Sequence, residues 1–274
     1  MDIRAYGKIN ITLDVLHRRQ DGYHELRGIM CAVDVYDAVH IEPAAGVSVS
    51  FDEAVPPQNT AAKAARAFLE RTGRGADIYI QKGIPSEAGM GGASADAAGV
   101  LRGMNRLYGE PLGENELFDI GLSIGADVPF CLMGGCAVAE GIGEALTPLP
   151  APRLNLLIVK GSGGVSTGAL FRELKLPLEG HPDTDGAIAA IRRGDTDGLI
   201  PLCENALEIP AIGLLPEIAQ NKKRLQSLGA HAFMTGSGAA VVGVFHTKEQ
   251  AERARKSFPD LPFARVCSTG GFVI

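Results

Sequence analysis

The stretch IPSEAGMGGASADAAG, residues 84–99, decides how the rest of the chain is read. ADIYIQKGIP runs into it with the alternation of a strand, and SADAAGVLRGMNRLYG leaves it with helical spacing. In that helix Ala97, Leu101, Met104 and Tyr108 share one face. Gly89, Gly91 and Gly92 permit a turn whose backbone N–H groups face inward, and Ser94 is expected to open the helix. The unpaired N–H groups of a helix amino end add donors, so strand, turn and helix together suit an anion such as phosphate. A plain structural turn has the same composition, and the loop alone does not choose between the two. It is not a GxxxxGK[ST] loop, because no Lys-Ser or Lys-Thr follows, and GMGGAS is not GxGxxG.

Upstream the chain reads as strand after strand. Ile9, Ile11, Leu13 and Val15 alternate with Asn10, Thr12 and Asp14, which predicts one apolar and one polar face. CAVDVYDAVHIEP predicts one or two more strands, and VSVSF at 47–51 continues the sheet. The period then changes: Ala61, Ala64 or Ala65, Phe68 and Leu69 predict a helix capped near Asn59. Downstream, ENELFDIGLSIG predicts a helix stopped by Gly125, with 126–129 as a non-helical continuation.

PLPAPRLN, 148–155, reads as a hinge, giving expected domains at 1–150 and 151–274. The second domain reads as a strand through RLNLLIVK, two shorter helical segments, a helix from about 214 to 228, strands at HAFMTG and AAVVGVF, a helix at KEQAERARKSF and a last strand at PFARVCSTGG. That order is close to a split βαβ unit.

Composition removes several classes of function. The chain has 274 residues, 46% of them hydrophobic, enough for a buried core rather than a disordered chain. A formal charge of −6 and no Trp give little support for nucleic-acid binding. No apolar run is long enough for a membrane span or a signal peptide, so a cytoplasmic protein is expected. The five cysteines form no CxxC pair, which suits a reducing compartment. The six histidines form no compact zinc pattern, and GGASA is not a hydrolase elbow.

Three further segments carry polar groups suited to chemistry. Asp127, set among small and apolar residues in SIGADVPFCLMGG, could accept a proton from an attacking hydroxyl, or merely cap a loop. Lys8 could neutralise phosphate or keep a carboxylate ionised, though exposed lysines near a terminus are ordinary. TGSGAA at 235–240 and KGSGGVSTGALF at 160–171 are glycine-bearing loops after apolar strands, each a hairpin turn or a cleft wall. DGYHEL at 21–26 sets the Tyr23 ring beside the His24 imidazole, suited to stacking on a base or to capping the core.

Taken in order, AYGKINITLDVLHRRQDGYHEL, NTAAKAARAF, IPSEAGMGGASADAAGVLRGMNRLYG, IGADVPFCLMGG, AEGIGEALTPLP, GVSTGALF, NALE and TGSGAAVVGVF resemble the GHMP small-molecule kinase superfamily over nearly the whole chain. The resemblance implies an α/β (α+β) fold of two domains, the first like domain 2 of ribosomal protein S5 and the second ferredoxin-like. It implies ATP as cosubstrate with Mg2+, and phosphorylation of the 2-hydroxyl of a cytidine diphosphate-linked methylerythritol, a small cytidylyl alcohol. A monomer or homodimer without nucleic-acid or membrane partners is expected. By the same resemblance Asp127 is the catalytic base, Lys8 its basic partner, and Asn10 lies beside them in the substrate segment. Tyr23 and His24 fall at cytidine recognition, and Thr167 and Phe171 at the substrate end. Gly89, Gly91, Gly92, Ser94 and Asp96 match the phosphate loop, and Gly236, Ser237 and Gly238 the second glycine loop. The metal ligands are left unassigned.

The chain departs from the family pattern in the phosphate loop. Met90 replaces a common leucine, Ala93 a glycine and Ala95 a serine, while Ala206 in NALE stands where aspartate is frequent and Glu87 precedes the turn. Two other readings therefore stay open: a GHMP kinase for another small alcohol, and an ATP-binding scaffold without turnover.

Overall fold

The computed structural model describes residues 1–178 and 180–274. Its first half is organised around one long strand. β1 (Asp2–Arg18) turns through a polar corner into β2 (His24–Ala44), a single 21-residue strand. On one side β2 pairs with β1 along nearly its whole length. On the other it pairs first with β5 (Cys136–Gly141) and then with β4 (Gly75–Gln81). β3 (Val47–Phe51) extends the sheet by pairing in parallel with β4, and β6 (Ala145–Leu149) pairs with β5. The seventh strand is the two-residue β8 (Glu204–Asn205), which crosses over from the second half of the chain to lie parallel to β1.

Four helices cover this sheet: α1 (Thr60–Thr72), α2 (Gly92–Leu107), α3 (Glu114–Ile124) and α4 (Val128–Met133). α1 begins where its cap residue predicts, with the Asn59 side chain accepting from the Ala62 N–H at 2.8 Å. Its Ala61, Ala64, Ala65 and Phe68 are buried in the main core. α2 begins two residues earlier than its serine suggests, at Gly92, with Gly91 as the cap. α4 corrects the expectation of a non-helical 126–129. Gly125 stops α3, but Asp127 immediately caps a new helix with Pro129 in its first turn, a position where proline's missing N–H costs nothing.

The second sheet has the order β11-β7-β10-β9, antiparallel throughout. It comprises β7 (Asn155–Lys160), β9 (His231–Met234), β10 (Val241–Phe245) and β11 (Phe263–Ser268). This is the ferredoxin-like arrangement, with α9 (Glu217–Ser227) and α10 (Lys248–Arg255) on one face. Between β7 and α9 lie α5 (Thr167–Glu173), α6 (Thr184–Arg193), α7 (Thr196–Leu199), a 3-10 turn (Ile200–Leu202), β8 and α8 (Glu208–Leu214). That is more short helices than the two expected. The helix predicted over about 214–228 is α9, which starts at Glu217 because Pro216 separates it from α8.

The two faces of the second sheet feed different cores. Leu156 and Ile158 of β7 join the main core beneath the first sheet, whereas Leu157 and Val159 pack with α9 and α10. The cleft between the two sheets is where the glycine loops meet.

β1 also departs from its predicted alternation. Residues 7–15 are all buried, polar and apolar alike. A register shift between Asn10 and Thr12 leaves Ile11 as an extra residue, so Ile9 and Ile11 enter one core while Leu13 and Val15 enter the other. A bulge re-aims the side chains that follow it. Here it brings Leu13 to the cleft on the same side as Lys8 and Asn10.

Candidate active site

A cavity of about 680 Å3 opens between the two sheets. One wall is the loop before α2. Gly89 and Gly91 have φ of +71° each, a left-handed conformation that glycine adopts without strain. A β-carbon on Gly91 would lie 3.2 Å from carbons of Lys8, so the loop rests directly on that side chain. The Lys8 N–H donates to the Met90 carbonyl at 2.9 Å, tying loop to strand. Gly91 provides no side-chain cap for α2, which leaves the N–H groups of the first turn directed at the cavity.

The adjoining wall is the turn between β9 and β10. The Ala239 N–H donates to the Glu87 carbonyl at 2.9 Å and the Ala240 N–H to the Ala88 carbonyl at 3.2 Å. The two glycine loops are thus hydrogen-bonded backbone to backbone. Asn10 joins the same contact, its N–H donating to Thr235 Oγ1 at 2.9 Å. Thr167 and Ser237 share a hydroxyl–hydroxyl hydrogen bond of 2.7 Å, linking α5 to the second loop.

Lys8 and Asp127, distant in sequence, meet at the cavity floor. Lys8 Nζ lies 3.3 Å from Asp127 Oδ2 and donates to Asn10 Oδ1 at 2.7 Å. The lysine side chain is 6% exposed and the aspartate 30%, so the carboxylate faces the cavity while the cation lies behind it. α4 fixes this placement: Val128, Phe130 and Leu132 anchor the helix in the interior, and Asp127 is left at its open end.

The cavity is lined by Lys8, Asn10, Asp127, Thr167, Phe171, Gly89, Gly91, Gly92, Ser94, Asp96, Gly236, Ser237 and Gly238. Tyr23 and His24 do not line it. Tyr23 is 60% exposed, on the polar corner between β1 and β2. The His24 ring packs against Phe171 with centroids 5.1 Å apart, and so touches the site through that phenyl group. Burial, aided by Arg18, lowers the His24 pKa and favours the neutral imidazole.

Two residues that the sequence reading passed over belong to the same region. Lys82 lines the cavity, donating to Asp96 Oδ2 at 2.7 Å and pairing with Asp37. Burial pulls the Lys82 pKa down, but Asp96 and Asp37 outweigh it and hold the ammonium above its ordinary value. Burial first, and the neighbouring Asp37 second, push Asp96 up to about 8. The signal for Asp37 was present: it takes an inward position in the alternation Val33, Val35, Asp37, Val39, Ile41, all buried.

The departures in the phosphate loop are accommodated. Ala95 is fully buried in the main core and does not face the cavity, so its missing hydroxyl is missing from the interior. Ala93 is exposed and does not adopt a positive φ.

Residues 59–135 match the family described as GHMP kinases N terminal domain, and residues 187–261 match GHMP kinases C terminal. A 4-diphosphocytidyl-2-C-methyl-D-erythritol kinase from Caldicellulosiruptor saccharolyticus is 45% identical, covering 93% of this chain and 91% of its own. The chain belongs to the 4-diphosphocytidyl-2-C-methyl-D-erythritol kinases of the GHMP family. A second member, from Desulfitobacterium hafniense, is 43% identical over 92% of this chain and 90% of its own. The crystal structure of a 4-(cytidine 5'-diphospho)-2C-methyl-D-erythritol kinase superposes with a TM-score of 0.86 at 33% identity, covering 99% of this chain and all of the other. A Leishmania major mevalonate kinase in complex with R-mevalonate has the same fold, with a TM-score of 0.74 at 18% identity over the whole of this chain and 97% of its own. As a GHMP kinase the chain takes ATP as phosphate donor and a small molecule as acceptor. Among the described residues, no helix is long and apolar enough to cross a membrane.

Proposed function

We propose that this kinase transfers the γ-phosphate of ATP to the 2-hydroxyl of 4-diphosphocytidyl-2-C-methyl-D-erythritol, giving ADP and the 2-phosphate, in the non-mevalonate route to isoprenoid precursors. The observation that carries the chemistry is the 3.3 Å contact of Lys8 with Asp127 on the floor of a glycine-walled cavity. The acceptor's identity is supported by relatives so named that match over nearly the full chain.

In this reading the backbone N–H groups at Gly89, Gly91, Gly92 and Ser94 hold the polyphosphate at the amino end of α2, and Gly236, Ser237 and Gly238 close the other wall. Asp127 accepts the hydroxyl proton as the acceptor oxygen forms its bond to the γ-phosphorus and the bond to the β,γ-bridging oxygen breaks. Lys8 keeps the carboxylate ionised and oriented, with Asn10 fixing the lysine. Thr167 and Phe171 line the acceptor end, with His24 behind Phe171 and Tyr23 on the exposed corner next to His24.

Magnesium fits the donor set, since such ions are held by one or two carboxylates plus substrate phosphates. Asp96 Oδ1 is buried without a hydrogen-bond partner among the described residues. Asp96 and the Ser94 hydroxyl would hold the ion, which would neutralise charge on the phosphates. We place the domain boundary near residue 150, and expect a cytoplasmic monomer or homodimer that binds no nucleic acid.

The test is acceptor-dependent ADP release from Mg-ATP and 4-diphosphocytidyl-2-C-methyl-D-erythritol, with the product identified by mass. A monophosphorylated product is expected. Folded protein that binds ADP but gives no turnover with this acceptor would overturn the assignment.

A further inference from the structure

Asp37 lies outside the cavity, yet it is fully buried, and it bonds the 82–84 segment, of which Lys82 and Ile84 line the cavity. Its Oδ1 accepts the N–H groups of Gly83 at 2.6 Å and Ile84 at 2.8 Å, fixing the chain as it leaves β4 for the phosphate loop. Its Oδ2 pairs with the Lys82 ammonium. That ammonium donates in turn to Asp96 Oδ2 at 2.7 Å, and lies 3.7 Å from where a β-carbon of Gly92 would sit, at the amino end of α2. Asp96 is 4% exposed, and its other oxygen has no hydrogen-bond partner among the described residues.

Burying two carboxylates and an ammonium is costly, and a cluster that serves only the fold does as well with apolar groups. A purely structural cluster would also satisfy all its oxygens. This one satisfies three of the four carboxylate oxygens and leaves the fourth, Asp96 Oδ1, on a residue of the cavity wall. We propose that Asp37 and Lys82 are positioning residues for the magnesium nucleotide: Asp37 fixes the Lys82 ammonium, and Lys82 occupies Asp96 Oδ2 so that Oδ1 is presented to the cation. The assignment rests on the magnesium-ATP reading of the site. It extends that reading to an aspartate on β2 and a lysine one residue past the end of β4. Lys82 has three N–H donors and spends two on the carboxylates, which ties Asp96 Oδ2 to Asp37 through one ammonium.

The test is calorimetric titration of the intact protein with ADP, once with Mg2+ and once with EDTA. The ratio of the two affinities is the metal enhancement. Asp37→Asn keeps an oxygen for the Gly83 and Ile84 N–H groups but loses the charge on Lys82; Lys82→Met removes the link itself. Partners of a ligating group typically contribute ~10–100-fold to metal affinity, and a loss of that size in the enhancement is expected, on top of any smaller loss of metal-free ADP affinity that follows from removing a cavity-wall charge. An unchanged enhancement in the folded variants overturns the proposal. So does an equal loss with and without metal, which reports a damaged cradle, and so does failure of both variants to fold, which reports a structural role. Wild-type protein showing no enhancement removes the magnesium assignment together with this proposal. Wild-type enhancement and turnover alongside unchanged variants remove this proposal alone.

Discussion

Gly89 and Thr235 approach so closely that a β-carbon on the glycine would lie 2.1 Å from the threonine carbonyl oxygen. Gly89 also has a positive φ, so two independent restrictions exclude a side chain there. The contact is the seam between the phosphate loop and the β9–β10 turn. Gly89→Ala is expected to destabilise the protein by at least ~1–3 kcal/mol, the usual size of a forced backbone strain, and to weaken ADP binding by parting the walls. Gly271→Ala, where a β-carbon meets nothing within 4 Å, is the control and should leave both unchanged. Chemical denaturation and ADP titration read the two effects.

Asp127→Asn keeps the volume and the cap position but removes the proton acceptor. General-base catalysis is typically worth ~10²–10⁴-fold, and kcat is expected to fall by that order. ADP affinity should hold, because the glycine loops bind the nucleotide through backbone groups. Turnover within a few-fold of wild type would show that the hydroxyl proton leaves by another path.

The acceptor end gives a graded expectation. Phe171 lines the cavity and packs against His24, whereas Tyr23 is largely exposed. Phe171→Ala should raise the KM for the acceptor, His24→Ala less, and Tyr23→Ala least, with the KM for ATP unchanged throughout. Steady-state kinetics with each substrate varied in turn gives the order, and a Tyr23 effect exceeding that of Phe171 would contradict it.

Much of the fold was legible because local signals and tertiary packing agree. Asn59 capped α1, the 81–92 region turned as its glycines require, and the strand order after residue 155 led to the antiparallel sheet. The failures have physical causes. The β1 alternation broke because Ile11 is a bulge, and a bulge has no composition of its own to betray it. α4 was missed because Pro129 reads as a helix breaker, although in a first turn it is a helix starter. In the site, the motif residues and the pairing of Lys8 with Asp127 were visible by resemblance alone, since no spacing rule spans the chain. Asp37 was not singled out, because CAVDVYDAVHIEP was read only as strand and its one inward carboxylate was not weighed.

Asp96 ties stability to pH in the nucleotide-free protein. Its carboxyl is held at about 8 when folded, against an ordinary 3.8, so between these values the folded chain retains a proton that the unfolded chain has lost. By linkage, stability from this group is fully present below about pH 4 and falls as pH rises toward 8. The proton is shared within the cluster of Asp37, Lys82 and Asp96, and its release is a property of the cluster. Asp96→Asn should flatten the fall in melting temperature between pH 5 and 8. An identical slope in the variant would move its origin elsewhere.

Ala95 provides the sharpest discrimination between an active kinase and a scaffold. The family pattern suggests that the alanine costs a hydroxyl at the phosphates, and restoring Ala95→Ser should then raise turnover. The structure gives the opposite expectation. Ala95 has no exposed surface, packs in the main core and does not line the cavity. A serine there buries a hydroxyl, whose best local partner is the carbonyl one helical turn back, at Gly91; that carbonyl already accepts the Ala95 N–H at 2.8 Å. A buried hydroxyl without a good partner costs ~1–3 kcal/mol. Ala95→Ser should therefore lower the denaturation midpoint and leave kcat and the KM for ATP where they were. A variant with faster turnover and undiminished stability would show that the position does reach the phosphates, and that the native alanine lowers activity.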